Sequence, residues 1–551
     1  MNTPMRPMCD EEIIRSKSAA TGLLKVRVSP RWTLVATILG SSLSFIDGTV
    51  VNVALPSIQR SLGASVAEVQ WVIEAYSLFL SALILIGGSL GDRFGRKRIY
   101  IIGMVVFTLA SIACGVAPTI GALIVARAVQ GIGGALLVPG SLAIISATFA
   151  ERERGAAIGV WSAFTTVTSA IGPVLGGWLV QTASWRWVFF VNVPLAAVTL
   201  AITLLRVGES RDTSATGPLD WRGATLATLG LGAFVFGLIE ASALGLTAPV
   251  VIIGVLVGVA ALVACLRFET RVPSPMISVR LFRSRTFTGA NLLTLLLYGA
   301  LGGALYFLPF NLQQAQGYTA TEAGAALLPF TIIVFALSRW TGGLTARIGA
   351  KIPLVAGATL AAVGFALFAL PGLGGSYWTT FFPAVVALSF GMALVIAPLT
   401  TSVMNAAPVA QAGEASGINN AVSRAAGLIA IAVMNVIFVA LFNPAFDANL
   451  AALGLSPALL HAMQAQRGVL GAAHAPAGTD TATAIAIKRA VDLAFVRCFR
   501  AVMLLGAALA LGSAVAAALL IEGRSLGSLA RQARARQSRP AGSPRAASQP
   551  K

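Results

Sequence analysis

The chain has 551 residues, 57% hydrophobic and 11% charged, with a mean hydropathy of +0.84. Soluble domains carry about 25% charged residues, so this composition excludes a water-soluble globular protein and predicts an all-α polytopic membrane protein. The formal charge of +19 falls between apolar runs, which is the pattern of membrane topology and speaks against nucleic-acid binding.

Residues 1–31 are expected to form a cytoplasmic tail: Asp10, Glu11 and Glu12 precede most of its bases, and no small-residue cleavage site marks a signal peptide. About fourteen apolar runs then predict helices over 32–55, 69–90, 99–117, 120–146, 156–180, 187–206, 222–243, 247–267, 286–310, 323–346, 352–371, 376–402, 412–442 and 499–521. The bases fall in alternate loops, among them 91–98, 151–154 and 267–285, while 117–121 and 242–249 carry none. By the positive-inside rule both termini are expected in the cytoplasm. The stretch 443–498, with His461 and His474, is expected to be a long extracytoplasmic loop containing some helix, and 523–551 a basic, disordered cytoplasmic tail. Cys9, Cys114, Cys265 and Cys498 have neither CxxC nor metal-type spacing, so no disulfide, metal or other cofactor is expected.

Two internal echoes divide the chain. Gly88, Leu90, Arg93, Gly95 and Lys97 recur at constant offset as Gly342, Leu344, Arg347, Gly349 and Lys351. Pro139, Gly155 and Gly159 recur as Pro398, Gly413 and Gly417. The pattern predicts two parallel copies of a six-helix bundle, 32–206 and 286–522, with 207–285 a linker region holding two extra helices.

Titratable groups inside the spans are few. Asp47, in "FIDGTVVNVALP", lies about 21 Å along the first helix at 1.5 Å per residue, near the midplane. Glu74, in "WVIEAYSLFLS", follows Gln70 by one turn, and Glu240 lies in an extra helix. Asp92, Glu322 and Glu414 fall at span ends. Acids within a bilayer are functional by default, against the alternative of a packing carboxylate satisfied by neighbouring hydroxyls and amides. Arg127 is the one base inside the fourth helix, and because an arginine stays charged it needs a compensating carboxylate. That carboxylate is read either as part of proton coupling or as half of a static pair.

Two further motifs are structural devices. "GDRFGRK" places Asp92, Arg93, Arg96 and Lys97 on a loop with Gly91 and Gly95, suited to ion pairs that break as two halves rock. "AIGPVLGG" puts Pro173 inside the fifth helix as a kink, with Gly172, Gly176 and Gly177 allowing close helix contact.

From about Trp32 to Ile521 the chain resembles the major facilitator superfamily, and within it the fourteen-helix drug:proton antiporters of the EmrB/QacA type. The residues that carry the resemblance are "GSLGDRFGRK" (88–97), "RAVQGIGGA" (127–135), "GPVLGG" (172–177), "IDGTVVNVALP" (46–56) and "WRWVFFVNVP" (185–194). It implies a proton-coupling role for Arg127 and an antiporter motif at Gly172–Gly177. Thr168 stands where that motif usually has a further glycine, and Glu74 where relatives often carry an uncharged residue. The resemblance implies a proton-driven exporter of small amphiphilic molecules in the bacterial cytoplasmic membrane. Substrate would enter a cavity between the bundles and be displaced when a proton binds Asp47 or a partner acid near Arg127. Glu74 is expected to favour cationic substrates or to hold a second proton. A periplasmic adaptor is one further partner the reading admits. Proton-coupled uptake of a metabolite is the rival within transport. A membrane-embedded enzyme or lipid-handling protein is the rival outside it, and no histidine pair, metal cluster or nucleophile–base pair supports that.

Overall fold

In hydrocarbon every backbone N–H and C=O must be satisfied within the segment, so the apolar runs become helices. The computed structural model describes residues 29–149, 151–211, 220–272, 279–407 and 412–522, and among these there are helices and turns but no strand. The terminal tails, part of the 267–285 loop, and the side chains of Arg347 and Glu414 lie outside the described residues.

The first bundle consists of α1 (Pro30–Leu62), α2 (Val66–Phe94), α3 (Arg96–Val116), α4 (Ile120–Thr148), α5 (Glu151–Thr182) and α6 (Asn192–Arg206). A hairpin follows, α7 (Trp221–Leu244) and α8 (Pro249–Glu269). The second bundle is α9 (Arg285–Phe310), α10 (Leu328–Ile348), α11 (Lys351–Phe368), α12 (Phe382–Asn405), α13 (Ala412–Ala451) and α14 (Thr481–Leu520). Among the described residues, thirteen helical stretches are long and apolar enough to cross a membrane by length and composition. The other long helix is α5, of 32 residues, packed along α1. Several helices outrun their apolar runs because polar caps extend them. At the start of α2, for example, Ser65 and Glu68 form a reciprocal capping box.

The expected long loop at 443–498 needs correction. Helix α13 continues to Ala451 and α14 begins at Thr481, leaving a connection of 452–480 that itself holds the short helix Pro457–Gln464. The added turns are alanine-rich, favouring helix. They also bury Phe446 and Leu450 of α13 and Ile487, Val491 and Phe495 of α14 in the core. Asn449 Nδ2 donates to the Ala490 carbonyl at 2.9 Å, locking the two extensions together. Thr481, Lys488 and Arg489, among the polar residues that suggested a loop, lie on the exposed face of α14.

The repeats have structural counterparts. Gly95 between α2 and α3, and Gly349 between α10 and α11, take φ of 108° and 81°, a backbone region open to glycine. Pro139 and Pro398 lie inside α4 and α12. The surroundings of Gly155 and Gly413 lie outside the described residues. Between the bundles, α7 packs on α2 of the first and α13 of the second through Leu78, Val235, Ile239, Leu428 and Ala432.

One layer joins the bundles, at the end carrying the α1–α2 loop. Gln313 Nε2 donates to the Val53 carbonyl (3.0 Å), Gln314 Nε2 to Gln59 Oε1 (3.0 Å) and Asn435 Nδ2 to Gln70 Oε1 (2.7 Å). The antiporter-type glycines belong to this layer. A methyl group on Gly177 would lie 2.3 Å from the Ala320 carbonyl oxygen, and one on Gly324 would lie 2.1 Å from that of Pro173. On the other face of α5, Gly172 and Gly176 meet Thr49 and Val50 of α1 at 2.0 and 2.6 Å by the same measure. The motif therefore clasps α5 between α1 and the second bundle.

Candidate functional site

Close helix packing in the first bundle sets up a buried ionic site. Gly131 of α4 lies against the Tyr76 backbone of α2, where a methyl group would stand 2.4 Å from the Tyr76 carbonyl oxygen. That approach lets Arg127 Nε donate to the Val72 carbonyl (2.9 Å) and sets its guanidinium 4.3 Å from the centre of the Tyr76 ring. Arg127 Nη1 donates to Asp47 Oδ2 at 2.5 Å and to Gln130 Oε1 at 2.8 Å.

Asp47 is fully buried and Arg127 is 1% exposed. Two further donors reach the carboxylate: Gln130 Nε2 at 2.8 Å and Asn192 Nδ2 at 3.2 Å, both to Oδ1. Asn192 is held in turn by Ser111 of α3 (3.0 Å). Helices α1, α4 and α6 thus converge on one carboxylate. Breaking a buried pair of this kind by removing one partner typically costs about 3–5 kcal/mol. Charge-assisted donors are what make an ionised aspartate tolerable there.

Beside the pair lies a cavity of about 210 Å3, lined by Ser44, Thr49, Asn52, Tyr76 and Arg127 of the first bundle and Arg424 of α13. The Ser44 and Tyr76 hydroxyls share a hydrogen bond of 2.6 Å on its wall. The layer through Val53, Gln59 and Gln70 lies beyond it toward the α1–α2 end.

Glu74 occupies a different environment. It is fully buried, and among the described residues neither carboxyl oxygen has a hydrogen-bond partner of good geometry. Gln70 Nε2 and the Tyr306 hydroxyl, both close to it, are unpaired as well, and so is Asn435 Oδ1 on the residue that binds Gln70. These four side chains come from α2, α9 and α13, so the cluster bridges the two bundles. Glu74 does not line the cavity.

The remaining predicted residues lie apart. Glu240 is half-buried near the end of α7. At the α2–α3 end, Asp92 pairs with Arg96 at 2.8 Å within its own loop. Glu209 accepts from the Lys97 and Arg98 backbone N–H groups at 3.0 and 3.1 Å, fastening α3 to the segment after α6. Gly95 leaves room for that carboxylate, since a methyl group there would lie 2.8 Å from it. Gly88 is in ordinary contact with Pro139, and Arg93 is half-buried. Three site residues escaped the sequence reading: Gln130, Asn192 and Arg424. Each is a polar residue inside an apolar run, the same signal that singled out Asp47.

The family model described as the Major Facilitator Superfamily matches residues 37–431. The "Multidrug resistance protein Stp" of Mycobacterium tuberculosis (strain ATCC 25618 / H37Rv) is 36% identical over 424 residues, 76% of this chain and 78% of that one. The "Tetracenomycin C resistance and export protein" of Streptomyces glaucescens is 32% identical over 458 residues, 81% and 83% of the two chains. The puromycin resistance protein of Streptomyces alboniger is 36% identical over 432 residues, 78% and 84%. Among solved structures, a bacterial homologue of the lysosomal transporter Spinster, inward-facing and occupied, superposes with a TM-score of 0.59 at 18% identity, covering 90% of this chain and 97% of that one. That likeness is one of fold.

Proposed function

This chain belongs to the Major Facilitator Superfamily, and from that premise we propose that it exports small amphiphilic molecules in exchange for protons by alternating access. The observation that carries the proposal is the fully buried Asp47 carboxylate, held by Arg127, Gln130 and Asn192 beside a cavity that both bundles line. The resistance and export proteins named above support the direction of transport.

The layer joining the bundles at the α1–α2 end closes the cavity toward the outside, by the orientation that the loop charges imply. Substrate enters from the cytoplasmic side. Once the bundles rock and the layer parts, a proton from outside reaches Asp47. Neutral Asp47 no longer compensates Arg127, so the tie between α1 and α4 weakens and the arrangement of the first bundle shifts. Return to the inward state lets Asp47 release the proton to the cytoplasm and re-form the pair. Proton and substrate are thereby coupled through helix arrangement, without contending for one carboxylate.

Glu74 is the second candidate for a proton. An ionised carboxylate without a donor costs several kcal/mol in an apolar interior, so the closed layer requires Glu74 in its neutral form. The Asp92–Arg96 loop serves as the hinge at the other end, where Gly95 permits the turn.

Purified protein in liposomes with an imposed pH gradient tests the reading. With the lumen made acidic, substrate is expected to accumulate inside as protons leave. Uptake in the same direction as protons would establish the rival transport mode, and no gradient dependence would overturn the proposal.

A further inference from the structure

The cavity between the bundles has a charge character that the sequence motifs do not announce. Among the described residues two arginines line it, Arg127 and Arg424, and no carboxylate does. Asp47 is sealed behind Arg127 with no exposed surface, and its charge is spent on that partner. Arg424 comes from α13 of the second bundle, is half-buried, and has no ion pair or hydrogen bond among the described residues. With Asp47 ionised, the Asp47–Arg127 pair is neutral as a unit and Arg424 is left as the uncompensated charge of the cavity. Its neighbours add hydroxyl and amide groups on Ser44, Tyr76 and Asn52.

We propose that Arg424 is the residue that selects substrate, binding a carboxylate, phenolate or similarly strong acceptor group on an amphiphile and turning permanent cations away. A guanidinium in a partly desolvated wall attracts an anion strongly because low local dielectric amplifies its field, and its planar donors fit two acceptor oxygens at once. The same field opposes a quaternary ammonium, for which the wall offers no counter-charge. Position adds a second consequence. Arg424 sits on the second bundle and the Ser44–Tyr76 wall on the first, so one bound head group touches both moving bodies. Substrate occupancy is then sensed by the rocking motion itself. Glu74, the residue expected to favour cations, does not line this cavity.

The inference rests on the transport reading for its biological meaning, but binding tests it separately. Full-length protein in lipid nanodiscs is titrated with three dansyl probes of one scaffold that end in a carboxylate, a hydroxyl or a trimethylammonium group. Wild type is expected to bind the carboxylate about tenfold or more tighter than the trimethylammonium, the scale of one charge-assisted hydrogen bond. Arg424→Gln erases that preference while leaving the hydroxyl probe unchanged, and Arg424→Lys keeps most of it. An unaltered melting temperature confirms that the variants fold. Equal or tighter binding of the trimethylammonium probe by wild type overturns the proposal, and so does a preference that survives in Arg424→Gln. A preference that holds in nanodiscs without proton-driven movement in liposomes removes the transport reading and leaves the binding site standing.

Discussion

Asp47 and Glu74 are both carboxylates without exposed surface in the first bundle, and the protein treats them in opposite ways. Asp47 has an arginine, a glutamine and an asparagine converging from two other helices. Glu74 has no hydrogen-bond partner of good geometry among the described residues, the Gln70 amide being its near donor, and it stands among other unpaired polar groups where the two bundles meet. The first environment stabilises a charge. The second tolerates only a neutral group, and only while the bundles stay closed. Burial by itself therefore says little about what an intramembrane acid does; the donors around it decide whether its resting form carries a proton.

Four substitutions sharpen or break that contrast. The largest effect is expected from Arg127→Gln, which leaves the Asp47 charge buried and unmatched. A loss of about 3–5 kcal/mol is expected, read as a fall in melting temperature of purified protein. Adding Asp47→Asn should restore much of it, because the pair is coupled. Additive losses in the double variant would mean that the two side chains are independent. Next comes Gly177→Val, which pushes α5 into the Ala320 carbonyl and strains the closing layer by about 1–3 kcal/mol. Spin-label distances across the α1–α2 end should lengthen while the Asp47 site stays intact; unchanged distances would separate the glycine motif from closure.

A smaller effect belongs to Glu74→Gln. An amide resembles the neutral acid in shape and in lacking charge, so stability should change by no more than about 1 kcal/mol, against the large response at Arg127. A loss as great as that of Arg127→Gln would show that Glu74 rests ionised. The smallest effect is expected for Tyr306→Phe. Removing a hydroxyl that has no partner should move stability by less than about 0.5 kcal/mol, checked by the same melt. A larger drop would identify a partner for that hydroxyl.

Much of this was legible in the sequence. The helices follow from apolar runs, and the two-bundle layout follows from the echo of Gly95 and Gly349, both of which take positive φ. Asp47 and Arg127 stand out because charge inside such runs is costly. Their pairing with each other was only half visible, since partners 80 residues apart share no local pattern. Asn192, 145 residues from Asp47, was hidden inside a motif read as a helix start. Arg424 is the only lysine or arginine between 412 and 466, so its isolation within an apolar run was a legible signal. The ends of α13 and α14 lie beyond the apolar runs because an alanine-rich helix with polar positions has the composition of a loop.

We propose Asp47, rather than Glu74, as the seat of the exchanging proton. Asp47→Asn imitates the protonated state, so in liposomes this variant should still exchange labelled substrate across the membrane at equilibrium, which also shows that it folds. With a pH gradient imposed, it should fail to accumulate substrate while wild type and Glu74→Gln both do. Gradient-driven accumulation at the wild-type level in Asp47→Asn would show that the exchanging proton resides elsewhere.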